Sequence, residues 1–410
     1  MLKWPCLTIY VAFFLCPAMG MVYTQDIKDS IEISVRPYAG LRGHLAVYDR
    51  EMEVQENASR IGIDLGIRKE RLTFIAGAEV QVNMFRGGSS FNADGNLSGG
   101  FLIIQSEQKQ QVFGNRLGYL GVDFDKYGSL TIGKQWSVYR DITSYTDRFN
   151  VFGARASATF IGGTDGGANG TGRADQSIVY RNQMGPLHVG TQFQARGGNN
   201  DRFIDGFGLS VQGEIRKDFY VGAAYNRAFL SENLLSSGKI LGLSGHPTYI
   251  SLGTKYIGKK VDFSIVGVLQ KNGDFTQGYY YDPVSGGLNP TVVFNAKGLE
   301  VFGKYKLSKF AFLAGYNLYV PDTDGITTIS GQYPVNTGFG KSDLIAGVVY
   351  QPIEFIHIYS EQRVSFGKNA LGDKEQSVFT IGMKIELSKR YKKRIVLYQN
   401  NVASGQANMK

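Results

Sequence analysis

Cysteine is nearly missing from this 410-residue chain: there are two. Both, Cys6 and Cys16, lie in an opening segment with Lys3, an apolar stretch from Leu7 to Cys16 and small residues at Ala18 and Gly20. That is the layout of a cleavable secretory leader, expected at residues 1–20. Bulky Phe13 and Leu15 argue against a lipoprotein signal at Cys16. A chain cut near Gly20 has no thiol, which excludes disulfides and Cys-based metal sites. Histidine is also scarce. The four present, His44, His188, His246 and His357, stand at no metal-ligand spacing to one another. No G-x-S-x-G elbow occurs, and the run Gly162 to Gly167 lacks the Lys-Ser/Thr of a phosphate loop. Asp322-Thr323-Asp324-Gly325 opens like a calcium loop but lacks its later Gly and Glu, so it reads as a turn. Long hydrophobic runs are missing too; the leader's apolar core falls short of the about 20 residues a spanning helix needs. The expectation is a protein that is not an enzyme and uses no cofactor and no metal.

The formal net charge of +9 suggests an anionic partner until it is located. Lys3 leaves with the leader, and residues 388–410 hold Lys389, Arg390, Lys392, Lys393, Arg394 and Lys410 with no acid. The body keeps 9 − 1 − 6 = +2. No nucleic-acid partner is expected, because the excess is a tail on a secreted chain. The basic extension at 388–410 reads as a solvated end or as a periplasmic contact with an anionic lipid or cell-wall polymer. Its Ile395 to Tyr398 run is able to pair as an added strand.

What the chain does have is glycine (53), tyrosine (24) and phenylalanine (26), together with strict alternation. In Arg60 to Arg68, Ile61, Ile63, Leu65 and Ile67 face one way while Arg60, Asp64 and Arg68 face the other. Phe207 to Arg216 and Phe379 to Leu387 repeat the pattern. About 16 such segments run from 31–48 to 376–387, an even number of the kind outer-membrane barrels use. Short turns such as Lys69-Glu70, Lys217-Asp218 and Ser308-Lys309 alternate with long Gly-, Asn- and Asp-rich loops. The fold class is therefore all-β, a transmembrane antiparallel β-barrel over residues 21–387. Closure removes the sheet edges that lipid cannot satisfy. One gap stands out, the strandless stretch between Trp136 and Arg173. Its anchors Tyr145, Phe149 and Phe152 and its Gly-rich return predict a folded insert.

Two stretches carry a family resemblance. Arg116-Leu117-Gly118-Tyr119-Leu120-Gly121, followed by Tyr127-Gly128-Ser129 and Gly133-Lys134, resembles a signature of the general trimeric porins of Gram-negative outer membranes. Gly172-Arg173 through Ser177-Ile178-Val179-Tyr180 is similar to that family's strand after the constriction loop. The resemblance implies a homotrimer of water-filled barrels in the outer membrane, in contact with the lipid bilayer and lipopolysaccharide, whose third extracellular loop folds inward. It also implies a pore constriction built from Arg42, Arg60, Arg116 and Arg173 on the wall, with Glu79 a further pore-facing acid and Asp147 and Arg148 on the loop. Two departures stand out: Val151 stands where many members carry a second loop carboxylate, and the chain continues past its last strand.

Parity alone places Arg42 and His44 opposite Leu41 and Leu45, and sets Arg60 and Arg68 among isoleucines. A basic lumen favours anions, and Asp147 and Glu79 opposing the arginines are expected to set up a transverse field. The expected function is passive diffusion of ions and small hydrophilic solutes, weakly anion-leaning. A substrate-specific channel and a barrel-borne adhesin or structural protein are the alternatives.

Overall fold

The computed structural model describes residues 29–85, 113–161, 164–197, 202–239, 242–281, 288–322, 336, 338–369 and 372–397. The expected leader at 1–20, Gly162 and Gly163 of the insert's return, most of the Asp322 to Gly325 turn and the chain after Leu397 lie outside the described residues.

The strands, in order, are β1 (Asp29–Tyr48), β2 (Glu51–Glu56), β3 (Arg60–Lys69), β4 (Leu72–Val82), β5 (Phe113–Asp123), β6 (Ser129–Trp136), β7 (Arg173–Met184), β8 (Leu187–Gln194) and β9 (Gly206–Arg216). The second half adds β10 (Phe219–Ala228), β11 (Thr248–Ile257), β12 (Val261–Tyr281), β13 (Leu288–Leu307), β14 (Phe310–Asp322), β15 (Lys341–Ile353), β16 (Ile356–Ser365), β17 (Val378–Ser388) and β18 (Tyr391–Leu397). Two short helices, α1 (Arg140–Thr143) and α2 (Glu232–Gly238), sit in connections.

Every neighbouring pair is antiparallel, and the first strand closes the sheet. Along one edge β1 pairs with β3 from Ile31 to Gly40 and with β2 from Gly43 to Tyr48. Along the other it pairs with β18 from Asp29 to Val35 and with β17 from Tyr38 to Val47. β2 with β3, and β17 with β18, are therefore each one interrupted stave, and the barrel has sixteen staves. The first interruption falls at Asn57 to Ser59, where Ala58 takes a left-handed φ of 53°.

The barrel boundary expected at 387 is corrected by β18. The tail's first half pairs with β1 because Lys392 and Arg394 find Glu32 and Ser30 on one face, while Ile395 stands opposite Ile31 and Lys393 opposite Ile33. The expected strand gap holds its bounds, with β6 ending at Trp136 and β7 opening at Arg173.

The outer face is apolar. Ile61, Ile63, Leu65 and Ile67 are exposed while Gly62 and Gly66 between them are buried. Near the short turns Phe124, Tyr127, Tyr256, Tyr305, Phe310 and Phe355 are also exposed, the girdle that barrels place at a membrane interface. The buried apolar residues gather on the inner face, in two clusters. Tyr139, Ile142, Tyr145 and Ile161 of the insert pack with Ala224, Tyr249, Val266 and Val268. Val151 and Phe152 pack with Ala46, Tyr48, Ile345, Tyr359 and Val378. Burial of side chains this size is worth about 1.5–3 kcal/mol each.

Candidate functional site: the insert and the charged inner wall

The described residues between 137 and 172 form no strand, so their backbone groups need other partners. Inner-face carboxylates supply them. Glu361 on β16 accepts the Asn150 N–H at 2.6 Å and the Val151 N–H at 2.9 Å. Glu300 on β13 accepts the Ala156 N–H at 2.7 Å and the Thr146 hydroxyl at 2.5 Å. Arg148 reaches Asp262 on β12 at 2.7 Å, and Arg155 reaches Asp343 on β15 at 3.1 Å and Glu375 at 2.7 Å. Each of these strand carboxylates is buried, whereas Phe263, Leu299 and Leu344 beside them are exposed. The insert thus seats on the polar face of four different strands.

Apolar contacts set its height. The Tyr139 ring meets Tyr249 edge-on with centroids 6.0 Å apart, and Phe149 meets Phe302 at 5.0 Å. Gly298 lets the chain approach, since a β-carbon there would lie 1.9 Å from the Ala156 carbonyl oxygen. The return turns at Gly166, with φ of +69°, and is pinned by Asp165, which pairs with Lys134 at 2.6 Å and Arg173 at 3.6 Å. Burial alone would raise the Asp165 pKa; the Lys134 hydrogen bond and the Arg173 charge outweigh it and lower it from 3.8. Burial likewise opposes the Arg155 charge, but Glu375 and Asp343 overcome it and raise its pKa.

Of the seven expected constriction residues, four come together. Arg116 Nε holds Glu79 at 2.6 Å, Arg60 lies 3.8 Å from the same carboxylate, and Tyr38 donates to it at 3.1 Å. Glu386 on β17 then links Arg60, at 3.7 Å, to Arg42, at 2.5 Å. Arg173 stands beside them, over the rings of Trp136 and Phe160. The loop pair is elsewhere: Asp147 is held by Arg140 of the insert itself at 2.9 Å, and Arg148 lies over Phe302.

This corrects the expected transverse field between Asp147 with Glu79 and the arginines. Glu79 sits within the arginine wall rather than opposite it, because β3, β4 and β5 are neighbours and cross-strand pairing brings Arg60, Glu79 and Arg116 into one ion-pair chain. Arg155 is a buried anchor of the insert and adds no free charge.

Sequence reasoning missed the seating carboxylates Asp262, Glu300, Asp343 and Glu361, and the cations Lys304, Lys306 and Lys384. Their signal was the same alternation. Lys304 and Lys306 flank Tyr305, which is exposed on the outer face, and Lys384 separates Met383 from Ile385.

A family model described as Gram-negative porin matches residues 49–256. Outer membrane protein F of Serratia marcescens is 30% identical over 123 residues, covering 27% of this chain and 30% of that protein. The chain spans less than half the length of the curated relatives it matches. Among solved structures, Salmonella typhi OmpF in complex with daunomycin superposes with a TM-score of 0.63 at 16% identity, covering 87% of this chain and 97% of that one. An anion-selective porin from Comamonas acidovorans gives 0.57 at 12% identity, covering 87% and 100%. Both likenesses concern the fold.

Proposed function

We propose a function from one premise: this chain belongs to the Gram-negative porin family. It forms an outer-membrane pore through which ions and small hydrophilic solutes diffuse passively, with a weak preference for anions. The observation that carries the reading is the inside-out polarity of a closed barrel, apolar outside and charged inside, with residues 137–172 seated against the charged face. In a bilayer the outer face meets lipid and the inner face keeps water.

The insert acts as the constriction. It narrows the lumen between the Arg42, Arg60 and Arg116 wall and the strands that hold it. The wall carboxylates that seat it are spent on its backbone N–H groups and its arginines, which leaves the lumen field to the cations. The anion preference of the Comamonas acidovorans porin, a likeness in fold, accords with that direction. The chain works as a conduit rather than a catalyst, as a homotrimer in contact with bilayer lipid and lipopolysaccharide.

Planar-bilayer recording of the purified protein tests this. Stepwise conductance and a reversal potential of anion-selective sign are expected in a salt gradient. Absence of conductance sinks the pore, and a strong cation preference sinks the charge argument.

A further inference from the structure

On the wall from β12 to β1, positive charge outnumbers the carboxylates available to it. Asp262 is shared by Arg148 at 2.7 Å and Lys306 at 3.0 Å. Glu386 is shared by Arg42 at 2.5 Å, Lys384 at 3.2 Å and Arg60 at 3.7 Å. Lys304 pairs in register with Asp262, but that carboxylate is already engaged by the other two cations. Lys306, Arg148 and Lys384 bear on the Lys304 ammonium, and Asp262 opposes them. Six cations therefore draw on these two carboxylates, with Arg60 also sharing Glu79.

Their arrangement is local. Arg42, Lys384 and His357 are register partners on three successive strands, β1, β17 and β16, so they form a row stepped by about 5 Å per strand. Lys384, Lys304 and Arg42 all act on the His357 ring, opposed by Glu386, which puts the β13 lysine within electrostatic reach of that row. Arg148 is fixed over Phe302, two residues before Lys304 on β13, and joins the insert to the same patch. A chloride ion gains one charge of attraction here; a divalent anion gains twice that from every cation, between low-dielectric walls that focus the field.

We infer that this ledge, centred on Lys304, Lys384 and Arg42, is a binding step for multiply charged oxyanions of the phosphate type, free or carried on a small phosphorylated solute. Lysine serves as a point-charge phosphate ligand, and His357 supplies a ring nitrogen at the edge. The inference rests on the pore reading and deepens it, because a bound divalent ion slows the passage of chloride through the same lumen.

The test is chloride conductance of the purified protein in planar bilayers, with inorganic phosphate titrated from one side at constant ionic strength. Phosphate is expected to reduce the current at millimolar concentration, and Lys304→Gln with Lys384→Gln is expected to raise the half-blocking concentration by at least about tenfold. Lys304→Arg with Lys384→Arg, which keeps both charges, restores the block. Lys259→Gln with Lys260→Gln, an equal charge change in an exposed short turn, leaves it in place. Glycerol phosphate distinguishes the sources: block by both probes marks a site for any phosphoryl group, and block by inorganic phosphate alone marks a site for the free ion. An unblocked native channel, or a double Gln variant blocked at the native concentration, overturns the inference. A protein with no conductance fails the pore reading instead.

Discussion

Arg155 is a residue whose loss carries a large expected cost. Its guanidinium is buried between Asp343 and Glu375, which Arg363 also contacts, so Arg155→Met leaves these buried carboxylates with Arg363 and the nearby Lys341. Removing one partner of a buried pair costs about 3–5 kcal/mol. A lower midpoint of thermal unfolding and a noisier open channel are expected; an unchanged midpoint would mean the seat lies elsewhere. Asp165 makes a pH prediction. Its pKa is lowered in the folded protein, so its pairing with Lys134 and Arg173 contributes fully above the ordinary value of 3.8 and is lost as pH falls through the lower folded value. Channel noise is expected to stay flat down to that ordinary value and rise below it, and Asp165→Asn is expected to be noisy at neutral pH. At this scale the sequence made Arg42 and Arg60 legible through alternation with apolar neighbours, whereas Arg116 came from the family resemblance. The partners of those arginines were hidden, because which carboxylate meets which cation is decided by register between strands far apart in the chain, such as Arg42 with Glu386.

Among the elements, β18 carries the clearest consequence. It pairs with β1 from Asp29 to Val35, while β16, on its other side, begins only at Ile356 opposite Ile385. A chain ended after Ser388 bares the first part of β1, and an open edge is costly for a membrane barrel. Such a chain is expected to give less folded barrel and a lower unfolding temperature than one ended after Leu397, as read by heat-dependent mobility on gels; equal behaviour would assign β18 no part in closure. Alternation was a sound guide where period two was unbroken, as in β3 and β17. It left β18 open, with Ile395 to Tyr398 only able to pair, because five basic residues in the six positions 389–394 outweigh the apolar ones in any reading by composition. It hid the outer reach of β12 and β13, because their pairing shifts register between Gln270 and Asp274 and again between Gln277 and Tyr280. Bulges of this kind leave residues unpaired and interrupt the regular ladder.

For the whole molecule, net charge and lumen charge are separate quantities. Most of the +9 belongs to the segment after residue 387, and its described part lies on β18 at the short-turn end, away from the insert. Selectivity must come from the inner wall, where Glu79, Glu386 and Asp262 are each shared among two or more cations. That distinction has a measurable form. A field set by fixed wall charges acts across open water and is screened as salt rises, with a Debye length of about 10 Å at 0.1 M and about 3 Å at 1 M. Exclusion by the width of the gap beside the insert is steric and does not weaken with salt. Anion preference from reversal potentials is therefore expected to be clear at about 0.1 M and nearly lost at about 1 M, while the largest neutral sugar admitted in liposome swelling stays the same. Glu79→Gln should raise the low-salt preference, since it frees Arg60 and Arg116 from their shared carboxylate, and should do little at high salt. A preference that persists at high salt would place selectivity in direct, desolvated ion contacts at the narrowest point rather than in the field of the wall.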